Sequence, residues 1–117
     1  MNQLSLSLPA WIASFLNEQP KIITEQEAQM RFVLDLTERN IREKTGGPFG
    51  SAVFEIASGK LVSVGVNVVV QQNCSAAHAE MMALMLAQKK LSNFDLGAAD
   101  LPAHRLVTSG KMCAMCL

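Results

Sequence analysis

Four residues have the types and spacing of a catalytic metal centre. Glu80 follows His78 by two positions, and the Cys-x-x-Cys pair Cys113 and Cys116 comes one predicted helix and one predicted strand later. One imidazole and two thiolates can hold Zn²⁺ and leave a fourth position open for water, as catalytic rather than structural zinc sites do. A carboxylate that is not a ligand can then move protons to the substrate. These residues predict zinc-dependent hydrolysis with Glu80 as the proton carrier.

The predicted elements allow these side chains to meet. His78 falls at the start of a helix, where its ring can reach the end of a neighbouring strand. Cys113 and Cys116 share one face of a helical turn, and a helix N-terminus favours their thiolate forms. On a regular helix Glu80 would point about 200° away from His78. Its long side chain in the first turn can still bend toward the metal.

Other interpretations of the cysteines and histidines exist. A Cys-x-x-Cys pair also occurs in redox proteins and in structural zinc sites. A thioredoxin-like pair is disfavoured because no helix follows Cys116 in this sequence. Cys74 and His104 are the remaining candidate ligands, and we expect Cys74 to be a buried or half-buried thiol near the site and His104 to lie in a loop.

The composition is that of a folded globular domain. Of the 117 residues, half are hydrophobic and 17% are charged, which suits one domain and not a disordered chain. Ten basic and ten acidic residues cancel, which disfavours nucleic acid as a partner and favours a small uncharged substrate. Three cysteines do not indicate a disulfide framework. We recognise no signal peptide or membrane span, and therefore expect a cytoplasmic protein.

Hydrophobic periodicity predicts an α/β chain. An N-terminal segment, residues 1–23, carries a short helix and precedes the main domain, residues 24–117. Thr24 has the sequence of a capping box at the start of a longer helix, which ends before Gly46. The later elements are strands over residues 49–57, 61–70 and 105–108 and a helix over residues 76–90. The valine-rich second strand is expected at the centre of the sheet.

Asn67 interrupts this valine-rich run. A buried amide is costly unless it is hydrogen-bonded, and two interpretations are open. Asn67 either ends the strand and bonds to a neighbouring loop, or presents its amide to a ligand at the edge of the active site.

The sequence resembles the cytidine deaminase-like superfamily, and most closely its bacterial guanine deaminase branch. The matching stretches are Gly46 to Phe49, Gly65 to Asn67, Cys74 to Glu80, Leu84 to Leu91, and Val107 to Ser109 followed by Cys113 to Cys116. The resemblance implies a three-layer α/β/α fold, a bound Zn²⁺ and usually a homodimer. It also implies hydrolytic loss of ammonia from a purine, most closely guanine, which gives xanthine.

The resemblance implies a role for each site residue. The zinc ligands would be His78, Cys113 and Cys116, and the catalytic proton carrier would be Glu80. The substrate-binding residues would be Asn67, Phe49, His78 and Ala79. The Asn67 amide and the Ala79 backbone would hold the polar edge of the base. The rings of Phe49 and His78 would stack on it.

Two features depart from the family. Lys111 and Met112 stand where the family has Glu-Pro, and the loss of proline frees a backbone donor and a dihedral at the helix start. The sequence also stops at Leu117, which we interpret as a deaminase domain truncated after its third strand. Two alternatives to guanine deamination follow. One is a catalytically silent zinc-binding remnant, and the other is a nucleoside or tRNA adenosine deaminase.

Overall fold

The computed structural model describes residues 2–110, whereas Met1 and residues 111–117 lie outside the described part. Within residues 2–110, the elements are α1 (Trp11–Asn17), α2 (Gln26–Arg42), β1 (Gly50–Glu55), β2 (Leu61–Val66), α3 (Ala79–Leu91) and β3 (His104–Thr108). The predicted α/β class is confirmed. None of the helices in this range is long and apolar enough to cross a membrane.

The strands form one antiparallel sheet in the order β2-β1-β3. In the described sheet β1 is therefore the central strand, and the prediction that β2 would be central was wrong. Valine content reflects how well a strand fits a half-buried pleated surface, and it does not determine the neighbours of the strand. Lys90 partly covers the outer side of β2, because its Nζ donates to the Val62 carbonyl at 3.2 Å.

Helices cover both faces of the sheet. On one face, Phe54 of β1 joins α1 and α2 in a core where the ring centroids of Phe15 and Phe32 are 5.7 Å apart and those of Phe32 and Phe54 are 6.0 Å apart. On the other face, Val53 of β1 packs with Ala83 of α3. Neighbouring side chains along β1 thus point to opposite layers, and the three-layer α/β/α arrangement is present.

The start of α2 differs from the predicted capping box. Its N-cap is Glu25 instead of Thr24, and the Glu25 side chain makes no capping hydrogen bond. Ile23, two residues before this N-cap, is held by the β1–β2 hairpin, because its N–H donates to the Gly59 carbonyl at 2.8 Å. The Gln29 amide reaches back to the Ile23 carbonyl at 2.7 Å. Tertiary pairing therefore decides where this helix begins.

The connection from β2 to α3 is longer than predicted. β2 ends at Val66, short of its predicted end, and α3 begins at Ala79, after its predicted start. Beyond Val66 the chain leaves the ladder, and the Val68 N–H donates to the Ala77 carbonyl at 3.0 Å. This bond ties the residue after Asn67 to the residue before His78, so the turn after β2 and the start of α3 are held together.

Gly65 in β2 lets α3 lie directly on the sheet. A Cβ on Gly65 would collide with the backbone oxygen of Ala79 and with the backbone nitrogen of Ala83. Both atoms belong to the helix backbone, so no side-chain rotation could make room. The glycine is needed here for space, and it sets the height of the first turn of α3 above the strands.

Candidate active site

His78 is the N-cap residue of α3. Its backbone is extended, with φ −72° and ψ 158°, and its carbonyl accepts the Met82 N–H at 2.9 Å. Because His78 lies outside the regular helix, the rotation of about 100° per residue does not relate its side chain to that of Glu80. A half-buried imidazole at this position is therefore compatible with a Glu80 side chain that points into the protein.

Glu80, in the first turn of α3, is a buried carboxylate held by two hydroxyl groups. It is 5% exposed, and its Oε1 accepts hydrogen bonds from Ser51 Oγ at 3.3 Å and Thr108 Oγ1 at 3.1 Å. Within residues 2–110, Oε2 accepts no hydrogen bond, although every fully buried side-chain nitrogen or oxygen there has a partner. Oε2 is therefore the carboxylate oxygen left without a hydrogen-bond partner among these residues.

The two hydroxyls lie in one row across the sheet. Ser51 of β1 pairs with Gly65 of β2 and with Thr108 of β3, and paired residues present their side chains on the same face. Gly65 supports the helix backbone, while Ser51 and Thr108 hold the Glu80 carboxylate. Sequence analysis missed both hydroxyl residues. The available signal was a hydroxyl residue beside apolar residues in each strand, Ser51 before Ala52 and Thr108 after Val107.

Asn67 and Phe49 lie together beside the sheet. Asn67 follows β2 and Phe49 precedes β1, and the Asn67 N–H donates to the Phe49 carbonyl at 3.2 Å. Asn67 Oδ1 accepts the Val69 N–H at 3.3 Å, so the carboxamide is oriented by its own turn. Phe49 is 43% exposed, and its ring would lie 3.7 Å from a Cβ placed on either Gly47 or Gly110. The Phe49 ring therefore lies between the loop before β1 and the residues that follow β3.

A buried asparagine holds the loops before β1 and after β2. Asn40, in α2, donates through Nδ2 to the carbonyls of Gly47 at 2.9 Å and Asn67 at 3.1 Å. Its Oδ1 accepts from Thr45 Oγ1 at 2.7 Å, and that hydroxyl accepts from Trp11 Nε1 at 2.8 Å. This network connects α1 and α2 to both loops.

We expect Asn40→Ala to lower the free energy of unfolding by about 1–3 kcal/mol, because it removes a buried side chain that donates to the carbonyls of Gly47 and Asn67 and accepts from Thr45. Urea unfolding measures the change. Asn17→Ala, exposed at the end of α1, is the control and should change the free energy by less than about 0.5 kcal/mol. Equal stability of the two variants would show that the network does not hold the loops.

Among the predicted zinc ligands, His78 is within the described residues, and Cys113 and Cys116 lie outside them. Within residues 2–110 no three His, Cys, Asp or Glu side chains are grouped closely enough to hold a metal ion. The donor set fits zinc, because one imidazole and two thiolates leave one position for water. The Glu80 carboxylate accepts hydrogen bonds from two hydroxyls. This arrangement fits a carboxylate that transfers protons near the metal ion without binding the ion.

The other candidate ligands form no such group in the described part of the chain. Cys74 is half-buried, as expected, and packs against the core. His104 is the first residue of β3, whereas the sequence predicted a loop, because pairing with the end of β1 includes it in the sheet. Its Nδ1 lies 3.0 Å from the Leu96 carbonyl oxygen. Lys111 and Met112 lie outside the described residues.

Comparison with known proteins agrees with this arrangement. Residues 23–117 match the family described as "Cytidine and deoxycytidylate deaminase zinc-binding region", and the chain belongs to this family. It is 33% identical over 91 residues to the guanine deaminase of Bacillus subtilis (strain 168). The structure of guanine deaminase from Nitrosomonas europaea is 48% identical with a TM-score of 0.89. That of NE0047 in complex with 2,6-diaminopurine is 48% identical with a TM-score of 0.90.

The chain spans less than two thirds of each relative. The B. subtilis match covers 78% of this chain and 54% of that protein. The N. europaea structure covers 99% of this chain, which spans 63% of it. The corresponding shares for NE0047 are 98% and 60%. The resemblance to guanine deaminases predicted from the sequence is confirmed for the part of these proteins that the chain spans.

Proposed function

We propose that this protein is a zinc-dependent hydrolytic deaminase that acts on guanine. The observation that carries the proposal is the buried Glu80 carboxylate, bonded to two hydroxyls at the start of the helix whose N-cap is His78. A carboxylate close in sequence to a zinc-binding histidine is what hydrolytic deamination of a base requires. Identity of 48% to the N. europaea guanine deaminase favours guanine among the bases.

His78, Cys113 and Cys116 would hold the zinc ion. When bound, zinc supplies the Lewis acidity that makes hydroxide available near neutral pH. The His78 imidazole binds in its neutral form, and the two cysteines bind as thiolates. The two thiolate charges balance the charge of the ion, so no further carboxylate is needed as a ligand, and Glu80 is left to handle protons.

Glu80 would carry the protons of the reaction. Guanine deamination adds water at the carbon that bears the amino group and releases ammonia, leaving xanthine. Glu80 accepts a proton from the water at Oε2 and delivers it to the base. The same oxygen takes the second proton of the water to the departing amino group, so the carboxylate is regenerated. Oε1 keeps its bonds to the two hydroxyls throughout.

Asn67, Phe49, His78 and Ala79 would bind the purine. Phe49 is exposed beside Asn67, whose carboxamide is oriented by the Val69 N–H, and the two support a stacking surface beside a polar contact. Ala79 is the first residue of α3, and its N–H therefore has no acceptor within the helix. That donor suits the polar edge of the base, and His78 would complete the stack.

We also propose that the protein is a cytoplasmic homodimer that acts on the free base and does not bind nucleic acid. Acidic and basic residues are equal in number, so the net charge gives the protein little attraction to a polyanion such as nucleic acid. The homodimer is what the resemblance to the deaminase family implies. Light scattering after gel filtration should give twice the mass of the chain. A monomer at every concentration would contradict the dimer.

A panel of substrates tests the proposed reaction. We expect kcat/KM for ammonia release from guanine to be about 100-fold or more above that for adenine, cytosine and their nucleosides. A site that hydrogen-bonds the polar groups of one base leaves its own polar groups unpaired when a different base binds. Faster release from adenosine or cytidine would overturn the guanine assignment. Zinc binding without release from any compound would favour the catalytically silent alternative.

A further inference from the structure

We infer that Ser51 and Thr108 are positioning residues that fix the plane of the Glu80 carboxylate and the place of its proton-carrying oxygen. The inference rests on the proposed function, since it concerns proton transfer by Glu80. Both hydroxyls donate to Oε1, at 3.3 and 3.1 Å. The other oxygen, Oε2, accepts no hydrogen bond from residues 2–110 and is left to exchange protons.

A glutamate side chain does not fix its own carboxylate plane. The terminal torsion has a broad profile, so an unrestrained Glu80 carboxylate would sample many orientations. Two donors on one oxygen restrict that torsion. A proton carrier gains from the restriction because transfer requires heavy-atom distances of about 2.6–3.2 Å.

The two donors are themselves held rigidly. Ser51 is fully buried in the central strand, and Thr108 is its direct partner in β3. The third member of the row, Gly65, sets the position of the helix backbone that carries Glu80. One row of the sheet therefore fixes both the backbone and the carboxylate of Glu80.

The burial of Ser51 is consistent with this role. A hydroxyl buried in an apolar strand is unfavourable unless it is hydrogen-bonded, and the partner of Ser51 Oγ is the Glu80 carboxylate. Ser63 of β2 provides a comparison, because its Oγ donates to the Ala83 carbonyl of the same helix at 2.6 Å. Ser63 therefore fastens the backbone of α3 without contacting Glu80.

Matched substitutions separate positioning from general support of the fold. Thr108→Val removes the hydroxyl and keeps the shape of the side chain, whereas Thr108→Ser keeps the hydroxyl. Thr108→Val and Ser51→Ala should each lower kcat by about 10-fold, and the double variant by about 100-fold, with KM and zinc content unchanged. Thr108→Ser should stay within about threefold of the wild type. Ser63→Ala should lower stability while keeping kcat within the same threefold range.

Crystal structures of the wild type and of the Ser51→Ala/Thr108→Val variant provide a readout that does not depend on turnover. We expect the Glu80 carboxylate to leave its wild-type plane in the double variant. A carboxylate that stays in place, or equal kcat in Thr108→Val and Thr108→Ser, would overturn the inference. Failure of the proposed function is a different result, in which the zinc-loaded wild type releases no ammonia from guanine, and the crystal structures still decide the role of the two hydroxyls.

Discussion

Glu80→Gln should lower kcat for ammonia release from guanine by about 10²–10⁴-fold, the contribution typical of a positioned general acid–base group. Glutamine has the same shape, and its amide oxygen can still accept hydrogen bonds from Ser51 and Thr108, so the fold should be retained. What the substitution removes is the capacity to accept a proton and return it.

The control for this substitution is Glu38→Gln, which removes an equal charge from the exposed face of α2 and should leave kcat unchanged. Zinc content should be the same in both variants, because Glu80 is not proposed as a ligand. A Glu80→Gln protein that kept more than about a tenth of the wild-type kcat, against a loss of at least 10² expected for a general acid–base group, would remove Glu80 from the mechanism.

Gly65→Ala should lower the free energy of unfolding by about 1–3 kcal/mol, the usual effect of overpacking a well-packed interior. The new methyl group would meet the backbone of Ala79 and Ala83, so α3 has to move away from the sheet. Since that helix carries Glu80 and has His78 as its N-cap, kcat/KM should fall by up to about 10²-fold, the effect of displacing catalytic groups by about 1 Å.

Gly97→Ala is the matched control. A Cβ on Gly97 would find its nearest neighbour, Asp95 Oδ1, at 3.5 Å, an ordinary contact. We expect a change of less than about 0.5 kcal/mol and full activity. Urea unfolding and initial rates measure both variants. If Gly65→Ala proved as stable and as active as Gly97→Ala, the close contact between α3 and Gly65 would not be what positions Glu80 and His78.

The candidate residues His78 and Glu80 were predicted from the sequence because their chemistry is concentrated in a short stretch. His78 and Glu80 are recognisable from residue type and spacing, and the structure places them at the N-cap and in the first turn of α3. Ser51 and Thr108 were not predictable in the same way. They are distant in sequence, and a hydroxyl in a strand is common. Their relation to Glu80 follows from the pairing of three strands, which the sequence does not encode locally.

The elements of the fold were easier to predict than their limits and neighbours. Apolar periodicity identified the long helices and the strands, but the true ends depended on tertiary hydrogen bonds. Ile23 pairs with Gly59 and delays the start of α2, and Val68 bonds to Ala77 and ends β2 early. The central place of β1 depends on its pairing with β3, a contact between residues distant in sequence.

The most direct test of the central claim is guanine turnover by the wild-type protein with its zinc content measured in the same sample. We predict about one zinc per chain, as in single catalytic zinc sites, and equal release of ammonia and xanthine that stops on chelation and returns with Zn²⁺. A protein that binds zinc and releases no ammonia from guanine would contradict the proposed activity. Turnover that persists after complete removal of the metal would contradict the proposed role of zinc.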